Sequence, residues 1–159
     1  MEDAYQVALK LHADITKCSK IVIALQSVRR QINERVKTLA SASEPERQRG
    51  APWTKQAKEA VSKLNALENE LHNPKAEVTY DILAKKGGAK LYSQLAPLYD
   101  IVKDSDGPVT QGMREVYADN AKELARLEGR WLQLVAKDLT QLNEDARKLG
   151  QPTIVAPGR

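Results

Sequence analysis

Phenylalanine is absent from this 159-residue chain, cysteine occurs once, histidine twice, and aromatic residues make up only 4%. Each shortage excludes something. With so few rings, the core has to be assembled from Leu, Val, Ile and Ala at the close spacing at which helices pack, which favours an all-α fold. One cysteine, Cys18, cannot form an intramolecular disulfide, and with only His12 and His72 as further soft ligands it makes no zinc site. No uninterrupted apolar run approaches membrane-spanning length. Glu2 and Asp3 stand where a secretory signal would carry basic residues, so no signal peptide is read. The helical pattern starts within three residues of Met1, as expected of a boundary inside a larger protein.

Hydrophobic periodicity dominates what is present. Ala4, Ala8, Leu11, Ile15, Cys18, Val22, Leu25, Arg29, Ile32, Val36 and Leu39 alternate four- and three-residue steps, with Arg29 the one break. That spacing holds one helix face against its neighbours for more than five heptads. It predicts a first helix from about Asp3 to Leu39 or Ala40, on the order of 55 Å long. Val7, Ile21 and Val28 widen the apolar face enough to touch two neighbours.

The stretch 41–52, SASEPERQRGAP, has two prolines, a glycine and no apolar period, and is expected to be a mobile loop. Trp53, Ala57, Ala60, Leu64, Leu67 and Leu71 predict a second helix that ends at Asn73-Pro74. A short turn capped by Thr79 and closed by Gly87-Gly88 should follow. A third helix then carries Leu91, Leu95, Leu98 and Val102, with Pro97 expected to kink or split it. Asp106 or Thr110 caps a fourth helix that runs to about Leu149. Its stripe is Met113, Tyr117, Leu124, Leu127, Trp131, Leu134, Leu142, Ala146 and Leu149, with polar Asn120 and Asp138 on or beside it. Gly129 is expected where another helix approaches closely.

These elements predict an all-α, elongated up-and-down four-helix bundle over residues 1–150, with two long outer helices and a short, kinked third, followed by an extended tail over 151–159. The alternative is a three-layer helical rod. In the bundle the last helix runs antiparallel to the first and Arg29 lies level with Glu123, whereas in the rod the two run parallel and Asp138 is the nearest acid. The short third helix should leave a contiguous apolar patch exposed for a partner.

Motif chemistry is sparse. His12 and Asp14, two apart on a helix, point about 200° away from each other and form no dyad. His72 suits a helix end, and Cys18 reads as a small buried hydrophobe. Gly87-Gly88 with Lys90 lacks the preceding strand and the spacing of a phosphate-binding loop. Charge is mildly uneven: residues 1–58 hold 11 Lys and Arg against 6 Asp and Glu, the remainder 14 against 15. Arg29, Arg30, Arg35 and Lys37 form the one candidate basic patch, sparser than a nucleic-acid binder of this size usually shows.

The run GGAKLYSQLAPLYDIVKDSDGPVTQGMREVYADNAKELARLEGRW, from Gly87 to Trp131, resembles the C-terminal helical segment of large bacterial β-propeller proteins with sortilin-like, sialidase-type (BNR) repeats. Lys10 to Ile15 and Leu25 to Ile32 are similar to the helix that follows the propeller in that family. The resemblance implies a C-terminal module of an exported parent, periplasmic or extracellular. It carries no catalytic residue onto this chain, because any glycosidase-like activity would belong to the propeller. The expected function is therefore a non-catalytic helical packing or interaction module. Its expected partner is protein, either the parent propeller or a second copy, with no cofactor, no metal and no membrane span. The alternative is binding to nucleic acid or an anionic surface through Arg29, Arg30, Arg35 and Lys37.

Overall fold

The structure, a computed structural model, describes residues 2–75, 88–105 and 107–158. The chain is an all-α helical bundle. Its elements are α1 (Glu2–Ala40), α2 (Glu44–Leu71), α3 (Leu91–Lys103), α4 (Gln111–Gln133), a π-helical turn (Leu134–Leu139) and α5 (Thr140–Lys148). The chain divides into two compact units, one of Met1–Val22 with Glu68–Gly129 and the other of Ile23–Leu67 with Arg130–Arg159. The expected turn from Thr79, Gly87 and Asp106 lie outside the described residues.

Every seventh residue of the α1 seam from Leu11 reaches the core, while Ala8, Ile15, Val22, Arg29 and Val36 are half-buried. Leu11, Cys18, Leu25, Ile32 and Leu39 are buried, and so are the flanking Val7, Ile21 and Val28 that were expected to widen the face.

In the unit of Ile23–Leu67 and Arg130–Arg159, the predicted loop over 41–52 is mostly helix. Ser43 caps α2: its hydroxyl donates to Glu46 Oε2 at 2.5 Å, and its backbone N–H donates to the same oxygen at 3.0 Å. That is the Ser-x-x-Glu arrangement that satisfies orphan donors at a helix start. Pro45 then falls in the first turn, where a missing N–H costs nothing. Pro52 lies inside the helix, but Gln48, whose carbonyl loses its donor, and Pro52 are both exposed, so water takes the vacant position. Gly50 is the close-approach glycine: a Cβ there would sit 3.2 Å from both Leu39 methyl carbons.

Trp53 closes this core. It is 2% exposed, and its indole N–H donates to the Leu142 carbonyl at 3.0 Å. The strict 4-3 continuation of the last helix would carry the stripe from Trp131 through Leu134 towards Asp138. The π turn takes more residues per turn, and the buried positions become Trp131, Val135, Leu139, Leu142 and Ala146. Asp138 is thereby displaced to the edge, where it pairs with Lys63 of α2. The Thr140 hydroxyl donates to the Val135 carbonyl five residues back, satisfying an oxygen in the widened turn. The tail is docked along this unit, with Ile154 2% exposed.

In the other unit, Leu91, Leu95, Leu98 and Val102 of α3 are buried, and the helix continues through Pro97 without splitting. Thr110 caps α4, its hydroxyl accepting from the Met113 N–H at 3.3 Å. Asp3 pairs with Arg114, Asp14 accepts from the Tyr117 hydroxyl at 3.0 Å, and Lys17 bonds Glu128 at 3.0 Å. Positions rise together along both helices, so α4 runs parallel to α1 in this unit.

The same sense holds within the first-described unit, where Val28 and Ile32 share a small apolar gap with Trp131 and Val135 while Gln31 and Arg35 reach 152–155. The all-α bundle class is as expected, but the last helix runs parallel to the first, the sense expected of the alternative rod and the reverse of the favoured up-and-down form. Arg29, expected level with Glu123, donates to Asn65 at 2.7 Å, and Glu123 accepts from Arg126. Gly129 also differs from expectation, because a Cβ there would meet nothing within 4 Å.

Candidate functional site

The residues able to do chemistry are engaged in packing. Cys18 is fully buried, its thiol 3.7 Å from the Leu71 carbonyl, and burial pushes its pKa up to about 12. His12 packs its ring against Tyr99 with centroids 6.0 Å apart. His72 follows the last residue of α2, and its Nε2 lies 3.0 Å from the buried Glu68 carboxylate. Tyr117 is pushed up to about 12, first by desolvation and then by its hydrogen bond to Asp14. Asn120 is 5% exposed, and its Nδ2 has no hydrogen-bond partner among the described residues. Among the described residues no group of three or more His, Cys, Asp and Glu can hold a metal ion, and no helix is long and apolar enough to cross a membrane.

The four residues of the sequence-predicted basic patch have different surroundings. Arg29 turns to Asn65 on α2. Arg35 is used on the tail, where Nε donates to the Pro152 carbonyl at 2.9 Å and Nη2 to the Thr153 carbonyl at 3.1 Å, while Nη1 reaches the Gln31 carbonyl. Arg30 and Lys37 are exposed.

Charge is organised at a larger scale. The unit of Ile23–Leu67 and Arg130–Arg159 holds 14 Lys and Arg against 7 Asp and Glu, formally +7, while the other unit holds 11 against 14, formally −3; these add to the +4 of the chain. The sequence-order split at residue 58 dilutes this contrast, because each unit is assembled from two distant stretches.

On the basic unit, the end of α1 and the start of α2 enclose an open cleft of about 430 Å³. Val36, Leu39, Ala40 and Ala51 form its apolar part, and Arg47, Thr54, Lys55 and Lys58 its polar part, with no carboxylate in the lining. Arg47 pairs with Glu44 in its own helical turn. Lys55 and Lys58 are exposed and make no ion pair among the described residues. Sequence reading missed this site because 41–52 was taken as loop. Once that stretch is helix, Arg47, Ala51, Thr54 and Lys58 fall on one face by their 4-3-4 spacing.

Among the described residues, seven large apolar side chains are exposed. In the acidic unit these are Tyr5 and Leu9, one turn apart on α1, with Ile101 and Val116; in the basic unit they are Ile23, Leu132 and Val155. Comparison with protein-family models, with curated proteins and with solved structures finds no match for the chain.

Proposed function

We propose that this chain is a non-catalytic helical interaction module, the C-terminal part of a larger exported β-propeller protein. The observation that carries the interaction reading is the division of charge, +7 on one compact unit against −3 on the other. Folding stability gains nothing from concentrating like charge, which repels itself, whereas recognition of an oppositely charged partner gains both rate and selectivity. The burial of Cys18 and the packing of His12 and His72 fit a chain without reaction chemistry of its own. The parent context rests on the run from Gly87 to Trp131.

The test is the full reading frame around this chain, followed by expression of the upstream part alone. A propeller of sialidase-type repeats that binds the separately made chain in trans is the expected result. A reading frame without such repeats removes the parent.

The excess of cations on one unit also favours a second reading, an anionic-surface or nucleic-acid binder in which exposed Arg30 and Lys37 take part. A salt series with duplex DNA separates the two. Phosphate binding loses affinity steeply and log-linearly with salt, whereas docking that also buries apolar surface keeps much of its affinity.

A further inference from the structure

We infer that the cleft between the end of α1 and the start of α2 is a docking groove for an acidic amphipathic helix of a partner polypeptide, an inference that rests on reading the chain as an interaction module. Arg47, Ala51, Thr54 and Lys58 present one face of α2 over about 16 Å, the length of three helical turns. Val36, Leu39 and Ala40 close the groove from α1. Two helices side by side leave a channel that a third helix fills by laying its ridges into theirs. Apolar anchors at i, i+4 and i+7 of the incoming helix would bury against Leu39 and Ala51.

The polar side of the groove selects the sign of the partner. Lys55 and Lys58 carry unpaired charge, and Thr54 adds a hydroxyl able to donate to a carboxylate. With no acid in the lining and +7 on the unit, a basic helix is repelled and an acidic one attracted.

Nucleic acid fits less well. No aromatic side chain lines the groove for base stacking, and the apolar floor gives nothing to phosphate. A second copy of this chain also fits less well: among the described residues its acidic unit exposes two large apolar side chains one turn apart on a helix, Tyr5 and Leu9, short of a row of three anchors.

The experiment uses the intact chain and a fluorescein-labelled synthetic helix of four turns, with one leucine stripe flanked by glutamates. The controls are the same peptide with lysine for glutamate and a single-stranded oligonucleotide of equal charge. Saturable binding of the acidic peptide is expected, at least about tenfold tighter than either control. Lys55→Glu with Lys58→Glu should weaken it by about tenfold or more. Ala51→Trp should block it by filling the floor. Lys137→Glu, outside the groove lining, should change it by less than about threefold. Circular-dichroism melting confirms that each variant is folded, and the paired lysine variant, changed only at exposed positions, decides the matter if Ala51→Trp is unstable.

Tighter binding of the oligonucleotide, equal binding of the lysine peptide, or no saturable binding overturns the groove. So does self-association of the chain that the lysine variants abolish. Acidic-peptide binding that survives both cleft variants overturns the groove and leaves the interaction reading standing, whereas a chain that engages no polypeptide at any surface overturns that reading as well.

Discussion

Asn143 holds the backbone of Ile154 from both sides: its Oδ1 accepts from the Ile154 N–H at 2.7 Å, and its Nδ2 donates to the Ile154 carbonyl at 2.9 Å. Gln31 repeats the device one residue on, accepting from the Val155 N–H at 3.0 Å and donating to its carbonyl at 2.8 Å. Two side-chain amides thus do for an extended tail what a neighbouring strand does in a sheet, and they seat Ile154 in the core. Asn143→Ala should cost about 1–3 kcal/mol, because it leaves backbone groups near a buried side chain unpaired. Truncation after Gly150 should cost more, since it also removes the Ile154 side chain. Chemical denaturation of the two variants measures both, and a truncated chain as stable as the whole would show the tail to be idle.

Gly129→Ala should raise stability by about 0.5–1 kcal/mol, because the position is inside a helix and the added Cβ meets open space. Gly50→Ala should gain less, since two Leu39 methyl carbons at 3.2 Å must move. Thermal melts of the pair read out the order directly, and a larger gain at Gly50 would contradict the packing described between α1 and α2.

The π turn makes a register prediction. The turn holds one residue more than α-helical winding needs, so deleting Ala136 should restore uniform winding while Leu139, Leu142 and Ala146 keep facing the core, at a cost below that of emptying one buried aliphatic position, about 2 kcal/mol. Thr140→Val removes only the hydroxyl that serves the Val135 carbonyl and should cost about 1 kcal/mol. A deletion that costs as much as emptying several core positions would mean that the wide turn does not set the register.

Much of the fold was legible in the sequence, wherever local pattern and burial agree. The α2 stripe from Trp53 to Leu71 and the four apolar positions of α3 are all buried, as are Leu11, Cys18, Leu25, Ile32 and Leu39 of the α1 seam, whereas Ala4, Ala8, Ile15, Val22 and Val36 are half-buried. What was not legible depends on context. Ser43-x-x-Glu46 was present as a capping signal, but Pro45, Gly50 and Pro52 together read as a loop, although each is tolerated for its own local reason. A uniform helical period cannot reveal a π turn, so Leu134 was taken for the core residue that Val135 proves to be. Chain direction was inferred from short connections, but α3 follows a segment long enough to defeat that inference. The cleft was hidden by the same loop reading, and the charge division appears only when the two distant stretches of each unit are counted together.

The start of α2 should be pH-dependent. The Ser43 hydroxyl and backbone N–H hold the Glu46 carboxyl below its ordinary value of 4.5. A group with a depressed folded pKa contributes stability above its unfolded value and loses it as pH falls through the folded one. Amide exchange over 43–50 should therefore accelerate as pH falls from about 5 towards 3, after correction for intrinsic rates. Glu46→Gln should show little of that dependence, and an unchanged profile in the two proteins would rule out the capping carboxylate as its origin.

Recognition by the basic unit is the central claim, and site-specific photo-cross-linking in the full-length protein within its native cells tests it most directly. The photoreactive residue benzoylphenylalanine replaces Ala51, in the cleft lining, or Val116, exposed on the acidic unit. The account predicts an adduct with another polypeptide at Ala51, reduced by Lys55→Glu with Lys58→Glu, and none at Val116. Adducts at Val116 alone, or at neither position, would contradict it.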